Sequence, residues 1–599
     1  MKWLAALASL SFMPVTSAWA DGDGTGLEAS YRFLVSERAG AGGVLQAPAA
    51  GVLKNSRLPL SFVDDAGYWG EYVCALAGNS CAVTDVYNPV DYSLNPLPGT
   101  AAALQIERVD VHNGTNIYDA ATWQIAVVLG ALDNPDAYAL ASDENRLLSQ
   151  GYAGKSELRA TTRGPAFLYN GVKITDPRAA FAYRMLAATW LNTDPLMGTR
   201  FAALVSAKAL PAGNPDYRAG MISWSDWKPV TGENAWALLL GPLQAAWLHY
   251  QRGGHQRFVP YSELAVQNAL GVLPAFAAMQ SALGGVYYAP AGTLANQGNT
   301  LIDPRTVSVE NNLSLYAGLR ILQRTLQAEL DYETDLQPTG RATIELALST
   351  LSTMLSGGAT APGYQTRGLL VFFKSSAWLA GGFVRGGRAN VPGAATAWMP
   401  MPEPKAVDVN TWGIAALGAA QLDKWFGFAA AFDAWQSVKQ WGGYGVGTTL
   451  WGVGYSDQDG NGRLADGGYR QGVLSSEWTA GAITAVRNMI HHYDSLAPAS
   501  PDYAQAQLML RSLHEDERAM LVGMQRLRVD RYASTAFSGK VPSPVSSGGT
   551  TVLPYLYASR RHFIPFGWYA NPLPSTCSTA WAIMVADWFD PFGYGGEPN

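Results

Sequence analysis

Six stretches of this chain share one plan, in which a short polar or acidic start runs directly into a long apolar helical segment. They open as Asn116-Ile-Tyr-Asp-Ala-Ala-Thr-Trp, Gly232-Glu-Asn-Ala-Trp, Ser308-Val-Glu-Asn-Asn, Asp408-Val-Asn-Thr-Trp, Ser475-Ser-Glu-Trp and Pro574-Ser-Thr-Cys-Ser-Thr-Ala-Trp. A helix that is apolar on most sides cannot lie on a surface, so each of the six is expected to be buried. If all six begin at one end of a domain, their Asp, Glu, Asn, Trp and Tyr side chains converge there. That convergence is the strongest constraint the sequence places on fold and function.

Between these segments lie stretches with more charge or fewer aromatics, at 178–191, 262–283, 341–355, 422–440 and 503–525, of which the last is plainly amphipathic. A buried helix alternating with a half-wet one predicts two concentric helical rings. The expected fold class is therefore all-α, an (α/α)6 toroid whose inner helices run parallel. A solenoid of stacked helix pairs predicts a fixed period of ~20–50 residues, and the intervals here are longer and unequal. Residues 21–105 read differently, with β-like runs such as Tyr31-Arg-Phe-Leu-Val and Leu58-Pro-Leu-Ser-Phe-Val between turn residues. The expected organisation is a signal peptide at 1–20, a small β-rich or irregular layer at 21–105 and the toroid at 106–599.

Composition narrows the functional classes. With 48% hydrophobic and 15% charged residues the chain suits one large core under a thin polar shell. The net charge is −6 and no basic run occurs, which disfavours nucleic acid, since phosphate binding needs clustered Lys and Arg. Lys2, the apolar run from Trp3 to Phe12 and the small-x-small site Ala18-Trp19-Ala20 read as a secretory signal, so a periplasmic or secreted protein is expected. No later segment offers the ~20 uninterrupted apolar residues of a transmembrane helix. In an oxidising compartment Cys74 and Cys81 are expected to close a small disulfide ring, and Cys577 reads as a buried packing thiol.

The carboxylates at the helix starts carry the chemistry. Glu233, Glu310 and Glu477 each sit at or just inside a helix N-terminus, where an acidic residue stabilises the helix by about 0.3–1 kcal/mol. Capping alone does not explain their neighbours Asn234, Trp236, Asn311 and Trp478. Asp119 lies on the same helix face as Thr122 and Trp123, and a charge on a buried helix is either paired or functional. Glycosidic cleavage needs two carboxyl groups, one protonated to assist the leaving oxygen and one ionised. Glu310, Glu477, Glu233 and Asp119 form the catalytic pool. The helix field favours carboxylate, so an acid there needs burial against Trp or Tyr to keep its proton.

Aromatic residues at loops and helix starts form a second constellation. Trp224, Trp227, Trp236, Trp412, Trp451, Trp478 and Tyr569, with Asp226 and Asn311 for hydroxyls, are the expected substrate-binding set of a glycan cleft. Asp457, Asp459 and Asn461 begin a calcium-loop pattern whose twelfth position is Gly468 rather than Glu. A structural calcium and a plain Asx turn both stay open; no other cofactor is expected. Phosphate-loop, dinucleotide, zinc-protease and serine-elbow signatures are absent.

Taken over residues 110–592, the six-fold pattern resembles the (α/α)6-toroid group of carbohydrate-active proteins. That resemblance implies a glycan partner and, first, an inverting glycoside hydrolase. A polysaccharide lyase, drawing on Tyr316, Tyr569 and Arg470, and a non-catalytic periplasmic glycan-binding or assembly protein are the alternatives.

Overall fold

The computed structural model describes most of residues 230–389 and 397–599, together with 24–36, 59–62, 114–131 and short strands between 158 and 187. These residues are mostly helical, with small two- and three-stranded sheets. The first helices are α1 (Gly24–Val35), α2 (Ile117–Ala131) and α3 (residues 231–253). In α3 the α turns Thr231–Ala235 and Gly241–Trp247 alternate with π turns Trp236–Leu240 and Leu248–Gly253. Next come α4 (Leu264–Ala278), α5 (Val309–Tyr332) and α6 (Pro338–Ser356). The chain continues with α7 (Asp408–Leu417), α8 (Ala419–Phe426), α9 (Ala430–Gly442), α10 (Ser476–Asp494), α11 (Tyr503–Gln525) and α12 (Thr576–Ala586).

The six polar-to-apolar segments are α2, α3, α5, α7, α10 and α12. Each packs on the next, and α12 packs back on α2, so they form a closed ring. Close approach depends on small residues: a Cβ at Gly241 of α3 would lie 2.7 Å from the Cβ of Ala121 in α2. Outside the ring, α1 lies on α12 and α2, α4 on α3, α6 on α5, α8 and α9 on α7, and α11 on α10.

Capping chemistry sets the ring's starts. The hydroxyls of Ser308, Ser475 and Ser575 accept from the backbone N–H groups of Asn311, Trp478 and Ser578, each cap contributing ~1 kcal/mol. Helix α3 has no such side-chain cap, and Asn311 of α5 supplies one instead, its Oδ1 accepting from Gly232 N at 2.7 Å. Extended loop residues then tie the starts together as a collar. Tyr288 O accepts from Thr231 N at 2.8 Å, Arg385 O from Val309 N at 3.0 Å, Tyr455 O from Val407 N at 3.0 Å and Tyr557 O from Ser476 N at 3.2 Å. These bonds satisfy N–H groups that a helix start leaves open. They also bring the side chains of Tyr288, Arg385 and Tyr455 to the ring's N-terminal end.

The other end is closed by the C-terminal segment 587–599. Gln244 Nε2 donates to Pro591 O and Gly593 O at 3.1 and 2.6 Å, and Asn599 Nδ2 donates to Ala415 O at 2.9 Å. This seats Phe592 against Trp236, Trp412 and Trp581, with ring centroids 5.6, 5.3 and 6.1 Å away.

Several local expectations change. Tyr31–Val35 is not a strand: it ends α1, because Tyr31 and Leu34 pack inward on the ring and Tyr31 Oη donates to Val127 O at 2.9 Å. Of the stretch 178–191, Ala182–Ala187 is a strand between Gly114–Asn116 and Leu158–Thr162, where pairing on both edges overrides a helical pattern. Stretch 422–440 breaks into α8 and α9 at Gly427 and Ala429, both with positive φ. Cys74 and Cys81 lie outside the described residues, and Cys577 is a buried free thiol.

Candidate active site

Five of the six ring helices present a carboxyl group in their first turn: Asp119, Glu233, Glu310, Asp408 and Glu477. The sixth presents Cys577. Asp408 interacts electrostatically with Glu310 and Glu477, and Glu477 with Glu310, Asp119 and Cys577. Of the expected carboxyl pool, Glu310, Glu477 and Asp119 therefore lie together at one end of the ring, and Glu233 lies beside Tyr288, which also neighbours Glu310. Asp408, passed over as a catalytic residue in the sequence, stands between its two main members.

Glu310 is half-buried and accepts at both oxygens. Asn311 Nδ2 donates to Oε2, and Ser314 Oγ donates to Oε1 at 3.0 Å. Burial raises its pKa to about 7, against the pull of these two donors. Glu477 is buried, and Tyr118 Oη donates to its Oε1 at 2.6 Å. Burial lifts its pKa to about 8, Asp119 and Glu310 add like-charge repulsion, and the Tyr118 hydroxyl and Cys577 thiol pull it down. Asp408 is raised well above the usual carboxylate range, by burial first and then by Glu310. Its Oδ1 accepts from Val409 N at 2.8 Å. Buried carboxyls at like-charged helix starts thus keep protons that the helix field alone would strip.

The collar adds a cation and two phenols. Arg385 is half-buried beside Tyr288 and Asp408, and its guanidinium lies 5.5 Å from the centroid of Phe566. Tyr288 lies beside Glu233, Glu310 and Arg385, and burial holds its phenol protonated. Tyr455 lies beside Glu477, with Trp478 edge-on at 4.9 Å. Neither Arg385 nor Phe592 carries a local signal in the sequence, because loop returns from distant positions bring them here.

The aromatic set divides. Trp236 and Trp412, with Trp581, are buried and form a floor under Tyr118. Trp478 is buried at the edge, stacked on half-buried Phe566 at 6.4 Å. Trp451 packs with Tyr444, ring centroids 6.4 Å apart, with Arg526 over its ring at 4.2 Å. Tyr569 lies in the strand Trp568–Ala570, while Trp224, Asp226 and Trp227 fall outside the described residues. Of the lyase candidates, Tyr316 packs edge-on against Phe373 and Arg470 is an exposed loop residue.

The Asp457–Asn461 loop is built by its own side chains. Asp459 accepts from Tyr455 N, Ser456 N and Ser456 Oγ. Asn461 exchanges bonds with Val473 in both directions, and Asp457 Oδ1 accepts from Lys405 N at 3.0 Å. Among the described residues, no three His, Cys, Asp or Glu side chains are grouped so as to hold a metal ion. Nor is any described helix long and apolar enough to cross a membrane.

No protein-family model and no curated protein matches the sequence. Among solved structures, unsaturated glucuronyl hydrolase from Bacillus sp. GL1 is similar at 10% identity and a TM-score of 0.30, over 75% of this chain and 95% of the other. A UGL variant with dGlcA-Glc-Rha-Glc gives 11% identity and 0.31 over the same shares. At such scores the likeness decides neither the fold nor the chemistry.

Proposed function

We propose that the closed ring is the inner layer of an (α/α)6 toroid, and that its carboxyl-lined end is the cleft of an exported glycan-cleaving hydrolase. The observation that carries this reading is the meeting of Glu310, Asp408 and Glu477 at the ring's N-terminal end, with two carboxyl pKa values raised to about 7 and about 8. Acid–base hydrolysis needs one carboxyl that keeps a proton near neutral pH and another that gives it up. Helix-borne acids on different staves leave room for a water between them, which favours inversion of the anomeric centre. The chemistry draws on carboxyls alone and asks for no cofactor. Export rests on the signal-like pattern of residues 1–20.

The test is turnover by the full chain on a panel of neutral and uronic oligosaccharides. New reducing ends, with the opposite anomer appearing first by NMR, are the expected result. An unsaturated, ultraviolet-absorbing product would replace hydrolysis by elimination. Binding without turnover on every glycan would leave a recognition protein. Cell fractionation checks export.

A further inference from the structure

Glu310 is held at both oxygens by donors that the neighbouring helix orients. Gly232 N donates to Asn311 Oδ1 at 2.7 Å, and a backbone N–H can only donate, so the amide oxygen of Asn311 must face α3. The amide nitrogen is thereby turned to Glu310 Oε2, and Ser308 Oγ at 3.2 Å takes its other hydrogen. At the second oxygen, Trp236 Nε1 donates to Ser314 Oγ at 3.1 Å, which leaves the seryl proton for Glu310 Oε1 at 3.0 Å.

The two bonds are products of one joint between helices. Gly232 and Trp236 stand one turn apart on α3, and Asn311 and Ser314 stand one turn apart on α5, so each pair shares a helix face. The approach is too close for a larger residue. A Cβ at Gly232 would lie 2.7 Å from Asn311 Cγ, and one at Gly318 would lie 2.8 Å from Leu239 Cβ. Asn311, Ser314 and Trp236 are all buried, so the joint works away from water. Asn311 therefore has two duties at once, as the cap that α3 lacks and as a donor to the carboxyl beside it.

We propose that Asn311 is the positioning residue of Glu310, the amide through which the start of α3 fixes the plane of that carboxyl for proton transfer. A free carboxyl rotates in a broad, two-fold torsional well, and donors on both of its oxygens remove that freedom. Proton transfer needs the acceptor held within hydrogen-bond reach and in line, which is what the joint supplies. A donor aimed at a carboxyl also favours its ionised form. The titratable groups around Glu310 are Asp408 on α7, Glu477 on α10 and Tyr288 on the collar, and Tyr288 also neighbours Glu233 and Arg385. The consequence for turnover rests on the hydrolase reading; the grip of Asn311 on Glu310 does not.

Asn311→Asp separates the two duties, because it keeps an oxygen for Gly232 N–H and puts an acceptor where Glu310 had a donor. Its Tm and KM should stay near those of wild type, while kcat on a glycan that wild type cleaves falls roughly 10–100-fold. The rate limb governed by Glu310 ionisation should move to higher pH, since one carboxyl now faces another. Asn311→Ala loses both bonds, so it should lose stability as well as kcat, with a limb displaced in the same direction. Full activity and an unmoved limb in Asn311→Asp would leave Asn311 as a helix cap alone and overturn the proposal. A second readout needs no turnover. With ¹³C at the Glu side-chain carboxyls, infrared spectra with and without Glu310→Gln isolate the Glu310 carboxylate band. That band should appear at higher pH in Asn311→Asp and in Asn311→Ala than in the parent, and an identical titration in all three overturns the proposal. If wild type cleaves no glycan the hydrolase reading fails by itself, and the infrared titration still decides whether Asn311 controls Glu310.

Discussion

Tyr118 Oη lies 2.6 Å from Glu477 Oε1, linking the second residue of the first ring helix to the second residue of the fifth. The phenol is itself anchored by Trp581 Nε1 at 3.0 Å. Three staves of the ring are thereby joined through one hydroxyl, and Glu477 is held from below while its helix starts from above.

Tyr118→Phe removes that hydroxyl and keeps the ring. A hydrogen bond to a charged group contributes about 1.5–3 kcal/mol, so a loss of roughly 10–100-fold in kcat is expected where Glu477 acts as carboxylate. Because the Tyr118 bond lowers the Glu477 pKa, the rate limb governed by Glu477 ionisation should move to higher pH. A pH–rate profile checks this, and an unmoved limb would separate Glu477 from the rate.

The raised carboxyls also make stability depend on pH. Glu477 titrates at about 8 in the fold against an ordinary 4.5, so between those values the folded state binds the extra proton. Stability must therefore fall as pH rises through this window and level off above it. Asp590, lifted to about 8 by burial within the C-terminal segment, acts in the same sense. Glu477→Gln and Asp590→Asn should each gain in Tm relative to wild type between pH 5 and pH 9, measured by thermal melts. A Tm difference independent of pH would mean these carboxyls ionise normally in the fold.

Phe592 closes the ring from the far end. Its replacement by Ala removes contacts with Trp236, Trp412 and Trp581, and a buried Phe→Ala costs about 3–5 kcal/mol. Urea denaturation should show that loss, accompanied by altered tryptophan emission in the native baseline. Unchanged stability would place the segment outside the cooperative core.

Cys577 should be inert while the protein is folded. Its thiol is buried, and burial with the nearby Glu477 and Asp119 charges raises its pKa well above the usual range. In a Cys74→Ser, Cys81→Ser background, a thiol reagent should react with it only at the rate of unfolding. Rapid labelling of the native protein would show that the ring end is open to reagents of that size.

The carboxyls at the helix starts were legible because helix starts are local. An acid in the first turn and an apolar run are written within a dozen residues, and Glu310, Glu477, Glu233 and Asp119 stand in first turns of ring helices as that pattern predicts. The amphipathic 503–525 helix was legible for the same reason. The strand at Ala182–Ala187 and the helix ending at Val35 were not, since each is decided by the partner it meets rather than by its own pattern. The aromatic residues could be located at helix starts but not sorted into floor and edge.

By itself the sequence determined that six buried helices would begin with polar groups, because capping, dipole and hydrophobic period are short-range properties. Tertiary structure alone decided that these six close on one another, that Arg385 and Tyr288 return over their starts, and that Trp236 and Trp581 aim the protons of Ser314 and Tyr118. Ring closure, loop return and hydrogen-bond direction each depend on groups far apart in the chain, and no local pattern encodes which of them will meet.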